Sequence, residues 1–132
     1  MSIFRLGNRS LDRMVGVHSD LQRVVKEAIN RTKVDFTVLE GVRSPERQAK
    51  LYESGASTTL NSRHLTGHAV DLGAWVDGRV AWDWPLYHLI ADAVLDAARS
   101  EGVFVDWGGH WRSFPDGPHF QLPWDLYDVQ AV

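Results

Sequence analysis

Residues 61–74 read NSRHLTGHAVDLGA, and they are the most informative stretch of the chain. Two histidines, an aspartate and a serine fall within these fourteen positions. The stretch continues into an apolar segment, Ala69 to Trp75, whose composition is typical of a β-strand. Polar side chains that can bind a metal, placed where a loop enters a strand, can build a reactive site on a rigid support. The stretch therefore predicts both a strand and a candidate site at its start.

The spacing of His64 and His68 is that of the zinc-binding pair His-x-x-x-His, which needs a helix to bring both rings to one face. Gly67 lies inside this spacing, and Leu65 occupies the position of the glutamate in that helical motif. The pattern therefore favours a turn at Gly67. It selects His64 and Asp71 as metal ligands and leaves His68 outside the metal set.

Zinc binds histidine nitrogen and carboxylate oxygen, and a catalytic zinc site needs three protein ligands beside an open position. The third ligand must come from a distant segment. His119 is the best candidate because it opens the last predicted strand and Asp116 lies three residues before it. We assign His18 and His88 to structural roles and consider His110 a candidate for lining the cleft.

The rest of the chain supplies a scaffold. Ser10 and Ser19 are predicted helix N-caps, the latter in a Ser-x-x-Gln capping box. A hairpin at Asp77-Gly78 and a long helix with an apolar stripe follow the central strand. The remaining predicted elements are strands at 36–39, 103–105 and 119–122 and a helix that begins at Ser44-Pro45 and ends near Ser54. Together they predict an α+β fold with a small, mostly antiparallel sheet and helices packed on it.

Bulk composition narrows the class of protein. The 132 residues predict a single domain, 1–132, and the absence of cysteine excludes disulfides and thiolate zinc sites. The net charge of −3 argues against a nucleic-acid partner. No segment has the pattern of a signal peptide or a membrane span, so we expect synthesis in the cytoplasm and no membrane insertion.

Charge is distributed unevenly along the chain. Residues 1–50 hold ten Lys/Arg and six Asp/Glu, a balance of +4, whereas residues 51–132 hold four and eleven, a balance of −7. Complementary packing between the two halves is one explanation. The other is a basic face that meets an anionic polymer.

The segment Ser62–Asp71 resembles the zinc motif of a family of peptidoglycan peptidases. This family includes D-alanyl-D-alanine carboxypeptidases and dipeptidases, and phage endolysins that cut the L-alanyl-D-glutamate bond. The segments Asp35–Ser44, with the following Gln48, Gly55–Ser57 and Pro118–Leu122 are similar to the endolysin branch. The resemblance covers nearly the whole chain and implies the fold shared by D-Ala-D-Ala carboxypeptidases and Hedgehog signalling domains.

The resemblance also implies roles for individual residues. His64, Asp71 and His119 would bind Zn²⁺, and Asp116 would be the general base. Many carboxypeptidase relatives carry glutamate at the position of Asp116, whereas aspartate is normal for endolysins of this type.

Further roles follow for residues around this centre. Arg43 would contact the carbonyl oxygen or a substrate carboxylate, although a surface ion pair is an alternative. Ser62 would contact the substrate or support the ligands. Trp107 and Trp111 bracket a glycine-rich turn and are candidates for the wall of a peptide or glycan groove.

These implications define the expected function: a monomeric zinc peptidase that hydrolyses the L-Ala–D-Glu bond of peptidoglycan stem peptides, as a phage endolysin does. Such an enzyme would reach the cell wall only after release from the cytoplasm. A tail-associated enzyme that acts at infection instead of lysis is also possible, and two alternatives to the activity itself remain. One is a D-alanyl-D-alanine carboxypeptidase or dipeptidase, and the other is a zinc-stabilised module that binds the wall without cutting it.

Overall fold

A computed structural model of the chain describes residues 3–127. Within these residues, helices and strands alternate along most of the chain. Their order is α1 (Asn8–Arg13), α2 (Ser19–Arg31), β1 (Phe36–Glu40), α3 (Pro45–Glu53), a 3-10 helix (Arg63–Thr66), β2 (Ala69–Val76), β3 (Arg79–Ala81), α4 (Trp84–Glu101), β4 (Asp106–Trp107), a second 3-10 helix (Gly108–His110) and β5 (His119–Gln121).

The strands form one antiparallel sheet in which β2 is central. One edge of β2 pairs with β1, and the other edge pairs with β5 near its start and with β3 near its end. Strand β4 extends the sheet beyond β5. The predicted α+β class, with a small antiparallel sheet, is confirmed.

Helices α2 and α4 pack against each other, and α4 also contacts β2. The predicted stripe of α2 is entirely buried, from Leu21 to Ile29. On β2, Val70 and Leu72 belong to the same apolar core. Because side chains alternate along a strand, Asp71 points to the opposite face of the sheet. The core therefore occupies one face of β2 and leaves the other face for polar groups.

Local sequence signals explain several element boundaries. Ser44 Oγ accepts the backbone N–H of Arg47, and Pro45 occupies the first turn of α3, as predicted. Asp77 and Gly78 both have positive φ, at 52° and 79°, which is the conformation that a two-residue hairpin requires. Among residues 3–127, none of the helices combines the length and the apolarity needed to cross a membrane.

The predicted N-cap of α2 is wrong. His18 is the N-cap, and its Nδ1 accepts the backbone N–H of Asp20 at 3.0 Å. The side chain of Gln22 does not close a capping box with Ser19, because it donates to the backbone carbonyls of residues 14 and 17 instead. Contacts with the residues just before the helix therefore replace the predicted capping box.

The predicted N-cap of α1 is also wrong, because α1 begins at Asn8 and contains Ser10. Ser10 is buried, and its Oγ accepts the backbone N–H of Val38 and bonds to the hydroxyl of Thr37. A polar residue that suits a cap therefore ties α1 to β1.

The strand predicted at 103–105 is displaced to Asp106–Trp107. Val103 lies just beyond α4, and its N–H donates to the helix carbonyl of Ala98. Pairing begins only where β5 lies alongside, at Asp106 opposite Gln121. The apolar composition of 103–105 gave no information about where its partner would be.

Candidate active site

Three of the predicted site residues converge on the polar face of β2. His64 Nε2 and His119 Nδ1 each lie 3.2 Å from the same oxygen, Oδ1 of Asp71. One ligand atom from each of the three residues lies within 4.8 Å of the others. Both histidines are buried. This group could hold a metal ion.

The sheet register brings Asp71 and His119 together. They are directly opposite each other on β2 and β5, although 48 residues separate them in the chain. Side chains of directly opposed residues on antiparallel strands lie on the same face, with Cβ atoms about 5 Å apart. Pairing of β2 with β5 therefore aligns two of the three groups without any help from loops.

A short turn places His64. The Oγ of Ser62 accepts the N–H of His64 and caps the 3-10 helix, which ends at Gly67 with φ 78°. A side chain at Gly67 would bring its Cβ within 2.4 Å of the backbone oxygen of Gly16. Glycine is thus required at this turn both for its backbone conformation and for space, in agreement with the predicted turn.

Hydrogen bonds on the far side of each ring fix the orientation of the two histidines. His64 Nδ1 lies 2.8 Å from the carbonyl oxygen of Gly41, and His119 Nε2 lies 2.8 Å from Oε1 of Gln121. Both partners are acceptors, so these nitrogens donate. In the neutral rings, the opposite nitrogens then present lone pairs towards Asp71. Three converging electron-pair donors with oriented rings fit the donor set that zinc prefers.

The charges of the group also favour a bound cation. Burial alone would raise the pKa of Asp71, but when the facing nitrogens of His119 and His64 are protonated, their hydrogen bonds outweigh burial and hold this pKa far below its ordinary value of 3.8. Burial lowers the pKa of His119, yet the bond to Asp71 raises it overall. A proton on His119 and a metal ion therefore compete for the same electron pair.

Asp116 supplies a second carboxylate to the same cleft. Burial raises its pKa, and the negative charge of Asp71 raises it further. Its backbone is fixed on both sides, because its N–H donates to Gly108 and its carbonyl accepts the N–H of His119. Within residues 3–127, no hydrogen bond occupies the Asp116 carboxylate, which is free to accept a proton from a bound molecule.

The segment around Trp107 supports the turn that carries Asp116. A Cβ at Gly108 would lie 2.4 Å from the backbone oxygen of Asp116. The indole N–H of Trp107 donates to the carbonyl of Gly117 at 2.7 Å. Trp107 is buried, so its predicted place in a groove wall is wrong, whereas Trp111 does line the cleft.

Two other histidines lie apart from the centre. His110 is exposed and packs against the ring of Trp107 instead of lining the cleft. His68 contacts Thr66 and the ring of His18, away from the three converging groups. Leaving His68 outside the metal set agrees with this geometry.

Arg43 is buried beside Asp71 and is not a surface residue. Its Nη2 donates to Glu40 at 2.6 Å and lies 3.5 Å from Oδ2 of Asp71. Its Nη1 donates to Gln48 at 2.7 Å, and its Nε is buried without a hydrogen-bond partner. The guanidinium is thus held at the edge of the cleft by Glu40, Gln48 and Asp71. Its ion pair with Glu40 is largely buried, not a surface pair.

A cleft of about 770 Å³ contains this centre. One part of its lining is polar and comes from the loop before the 3-10 helix, residues 56–62. Another part is aromatic and comes from segments on either side of β5. Ser62 lines the cleft while its Oγ caps the 3-10 helix, and its hydroxyl hydrogen is left to donate to a bound molecule.

Sequence reasoning missed several supporting residues. Gln121 could have been found, because it lies two positions after His119 on a strand and so shares its face. Glu40 and Gln48 fell among the matches to the endolysin branch, but no pattern indicated that they hold Arg43. Arg63 is buried, and its guanidinium donates to the carbonyls of Leu122, Pro123 and Tyr127. A charged residue in a polar stretch gives no indication of such burial.

An antiparallel α+β domain with a buried His–Asp–His group, and with a second, unpaired carboxylate in the same cleft, has the arrangement of a metal-dependent hydrolase. The model of the phage L-alanyl-D-glutamate peptidase family matches residues 1–122 of the chain. The chain belongs to this family. The resemblance predicted from the Ser62–Asp71 motif is confirmed, as is the prediction of an enzyme of the peptidoglycan peptidase class.

Individual relatives agree with this assignment. The chain is 26% identical over 129 residues to the L-alanyl-D-glutamate peptidase of Escherichia phage T5, covering 95% of the chain and 93% of that protein. The crystal structure of the Serratia marcescens L-Ala D-Glu endopeptidase ChiX superposes with a TM-score of 0.90 at 48% identity, covering 97% of the chain and 96% of ChiX.

A structure with lower sequence identity also shares the fold. The vancomycin resistance D,D-dipeptidase VanXYg matches with a TM-score of 0.55 at 21% identity, over 80% of the chain and 50% of that protein. At this identity the likeness concerns the fold alone. It confirms the predicted relation to the D-Ala-D-Ala peptidase fold.

Proposed function

We propose that the chain is a zinc endopeptidase that hydrolyses the L-Ala–D-Glu amide bond of peptidoglycan stem peptides, with His64, Asp71 and His119 as the metal ligands. The convergence of these residues in one cleft with the free carboxylate of Asp116 carries the proposal. Membership of the L-alanyl-D-glutamate peptidase family indicates which amide bond is cut.

The proposed roles follow from the chemistry of each group. When bound, zinc supplies Lewis acidity, which polarises a carbonyl oxygen and makes water a stronger acid. Asp116 takes the proton from the attacking water and then gives it to the leaving amine of D-glutamate. Its raised pKa suits this exchange, because a carboxylate with a higher proton affinity is a better base.

Arg43 and Ser62 are proposed to act on the substrate. The fixed positive charge of Arg43, whose side chain lines the cleft, favours an oxygen that gains negative charge as the amide is attacked. A substrate carboxylate would be bound by the same charge. The hydroxyl hydrogen of Ser62 is free to donate to the peptide while its oxygen keeps the cap on His64.

The proposed setting is the bacterial cell wall. Peptidoglycan is the partner, and the single domain 1–132 works there as a monomer, without nucleic acid and without insertion into the membrane. As for an endolysin made in the cytoplasm, the wall would be reached after release. The basic balance of residues 1–50 would favour approach to an anionic wall polymer.

Digestion of purified sacculi tests the proposal. Mass spectrometry of the released muropeptides should show new amino termini at D-glutamate, and a zinc chelator should abolish them until zinc is restored. Loss of terminal D-alanine alone would contradict the endopeptidase assignment and support a carboxypeptidase. Binding to sacculi without any new amino group would contradict catalysis and support a binding module.

A further inference from the structure

Three aromatic side chains line the cleft that holds the catalytic centre. Trp111, Phe114 and Trp124 line it together with His64 and Asp116. Their exposed fractions are 37%, 47% and 47%, so none of them is a core residue. Large apolar side chains gathered at the lining of one polar cleft indicate a surface that a ligand covers.

The chemistry of the remaining lining narrows the class of that ligand. Ser57, Thr58, Thr59 and Asn61 contribute hydroxyl and amide groups to the same cleft. A sugar ring presents C–H groups on its faces and hydroxyl or amide groups at its rim. Aromatic rings suit the faces, and short polar side chains suit the rim. The cleft therefore combines the two kinds of group that a pyranose needs.

The covalent structure of the substrate places a sugar near these residues. In peptidoglycan, the L-alanine of the stem is joined to the lactyl group of N-acetylmuramic acid. One residue spans at most roughly 3.6 Å, so the lactyl carbonyl lies within about that distance of the scissile carbonyl. The ring of Trp111 lies 5.0 Å from the ring of His119. A sugar attached so close to the reacting bond must lie within or beside this cleft.

We propose that Trp111, Phe114 and Trp124 form a binding site for the N-acetylmuramic acid sugar. The inference rests on the proposed function. Its consequence is a specificity: the enzyme cuts a stem peptide that carries the sugar faster than the same peptide without it. The reacting bond is identical in the two substrates, so the preference measures the contacts of the sugar and its lactyl link, and the aromatic variants then assign it to the sugar site.

Two synthetic substrates test this specificity in the zinc-loaded enzyme. One is the N-acetylmuramyl tetrapeptide, and the other is the same tetrapeptide with an acetyl group on the L-alanine nitrogen, which keeps the amide but removes the sugar. We expect kcat/KM to be at least about tenfold higher for the muramyl substrate, as for one or two aromatic contacts. Equal values for the two substrates would overturn the proposal.

Alanine variants test whether the three aromatic residues cause this preference for the muramyl substrate. In Phe114→Ala, Trp111→Ala and Trp124→Ala, the ratio of the two kcat/KM values should fall by about threefold or more. Phe104→Ala is the matched control, because Phe104 is 70% exposed and lies outside the cleft, so its ratio should equal that of the wild type. An unchanged ratio in all three cleft variants would overturn the proposal.

A binding measurement on the wild-type protein avoids any dependence on variant folding. N-acetylmuramyl-L-alanine should change the tryptophan fluorescence at concentrations where N-acetyl-L-alanine does not, and equal responses would contradict a sugar site. The sugar site and the proposed function can fail separately. Cleavage of both peptides at equal rates removes the sugar site only, whereas cleavage of neither peptide removes the proposed function and the sugar site with it.

Discussion

Gln121 and the carbonyl of Gly41 decide which nitrogen of each histidine faces Asp71. These outer hydrogen bonds hold the rings in place before any metal arrives. Residues in such positions commonly change metal affinity or activity by roughly 10–100-fold when they are replaced. The centre therefore depends on more than the three proposed ligands.

Replacement of Gln121 tests this dependence. Gln121→Leu removes the acceptor for His119 Nε2, so zinc affinity should fall by roughly 10–100-fold in a competition titration with a chromophoric chelator. Gln121→Glu keeps an acceptor oxygen and should lose less. Equal affinities for the wild type and the leucine variant would contradict an orienting role for this bond.

Glu40 joins two cationic side chains at the other side of the centre. Its oxygens accept from Arg43 at 2.6 Å and from Arg47 at 2.7 Å. Burial raises the pKa of Glu40, but the hydrogen bonds from the two arginines outweigh it, and the net pKa lies below the ordinary 4.5. A lowered pKa in the folded state means that ionised Glu40 stabilises the fold.

The sign of this effect predicts a pH dependence. The stabilisation from Glu40 is complete above about pH 4.5 and is lost as the pH falls through the lowered folded-state pKa. Glu40→Gln should therefore destabilise the metal-free protein more at pH 7 than at pH 3.5. Urea unfolding at both pH values measures this difference. A larger difference at the lower pH would contradict the assignment.

At the scale of elements, the turn before β5 is fixed by the close approach of Gly108. Gly108→Ala would force the backbone of Asp116 to move, since the added Cβ would lie 2.4 Å from its oxygen. A displacement of about 1 Å at a catalytic group can cost about a hundredfold in rate. We expect at least a tenfold loss of peptidase activity with the fold retained.

A matched glycine provides the control for this prediction. A Cβ at Gly7 would meet nothing within 4 Å, so Gly7→Ala should leave the activity unchanged. Thermal melting separates a local displacement from unfolding. Wild-type activity in Gly108→Ala would show that the turn tolerates the shift and that its position is not critical.

Arg63 joins the 3-10 helix to the segment after β5. Arg63→Met would leave the backbone carbonyls of Leu122, Pro123 and Tyr127 without their donor. Loss of hydrogen bonds from a buried charged group should destabilise the protein by about 3 kcal/mol or more. Arg79→Met is the control, because Arg79 is exposed on β3, and it should change stability by less than about 0.5 kcal/mol.

Elements were predictable where their signals were local. Ser44-Pro45 and Asp77-Gly78 fix a helix start and a hairpin through their own backbone preferences, and both were predicted correctly. Ser10 and Ser19 were not, because a buried contact of Ser10 with β1 and the capping of α2 by His18 replaced the local pattern. The strand predicted at 103–105 was misplaced because a strand forms only where a partner lies alongside, and β5 pairs with residues 106 and 107.

At the scale of the whole molecule, the candidate site was predictable as a set of residues but not as a geometry. The motif around His64 and Asp71 named two groups, and spacing near the last strand suggested His119 and Asp116. Their meeting depends on the pairing of β2 with β5, a contact between segments 48 residues apart. Likewise, no short pattern predicts that Trp107 is buried under the turn while Trp111 lines the cleft.

The central claim is a division of labour: three residues hold the metal, and Asp116 performs the proton transfer. Zinc content and peptidase activity measured on the same samples of His119→Ala and Asp116→Asn test it directly. The first variant should lose both zinc and activity. The second should keep one zinc per chain and lose at least about a hundredfold in kcat. Full activity in Asp116→Asn, or one tightly held zinc in His119→Ala, would contradict it.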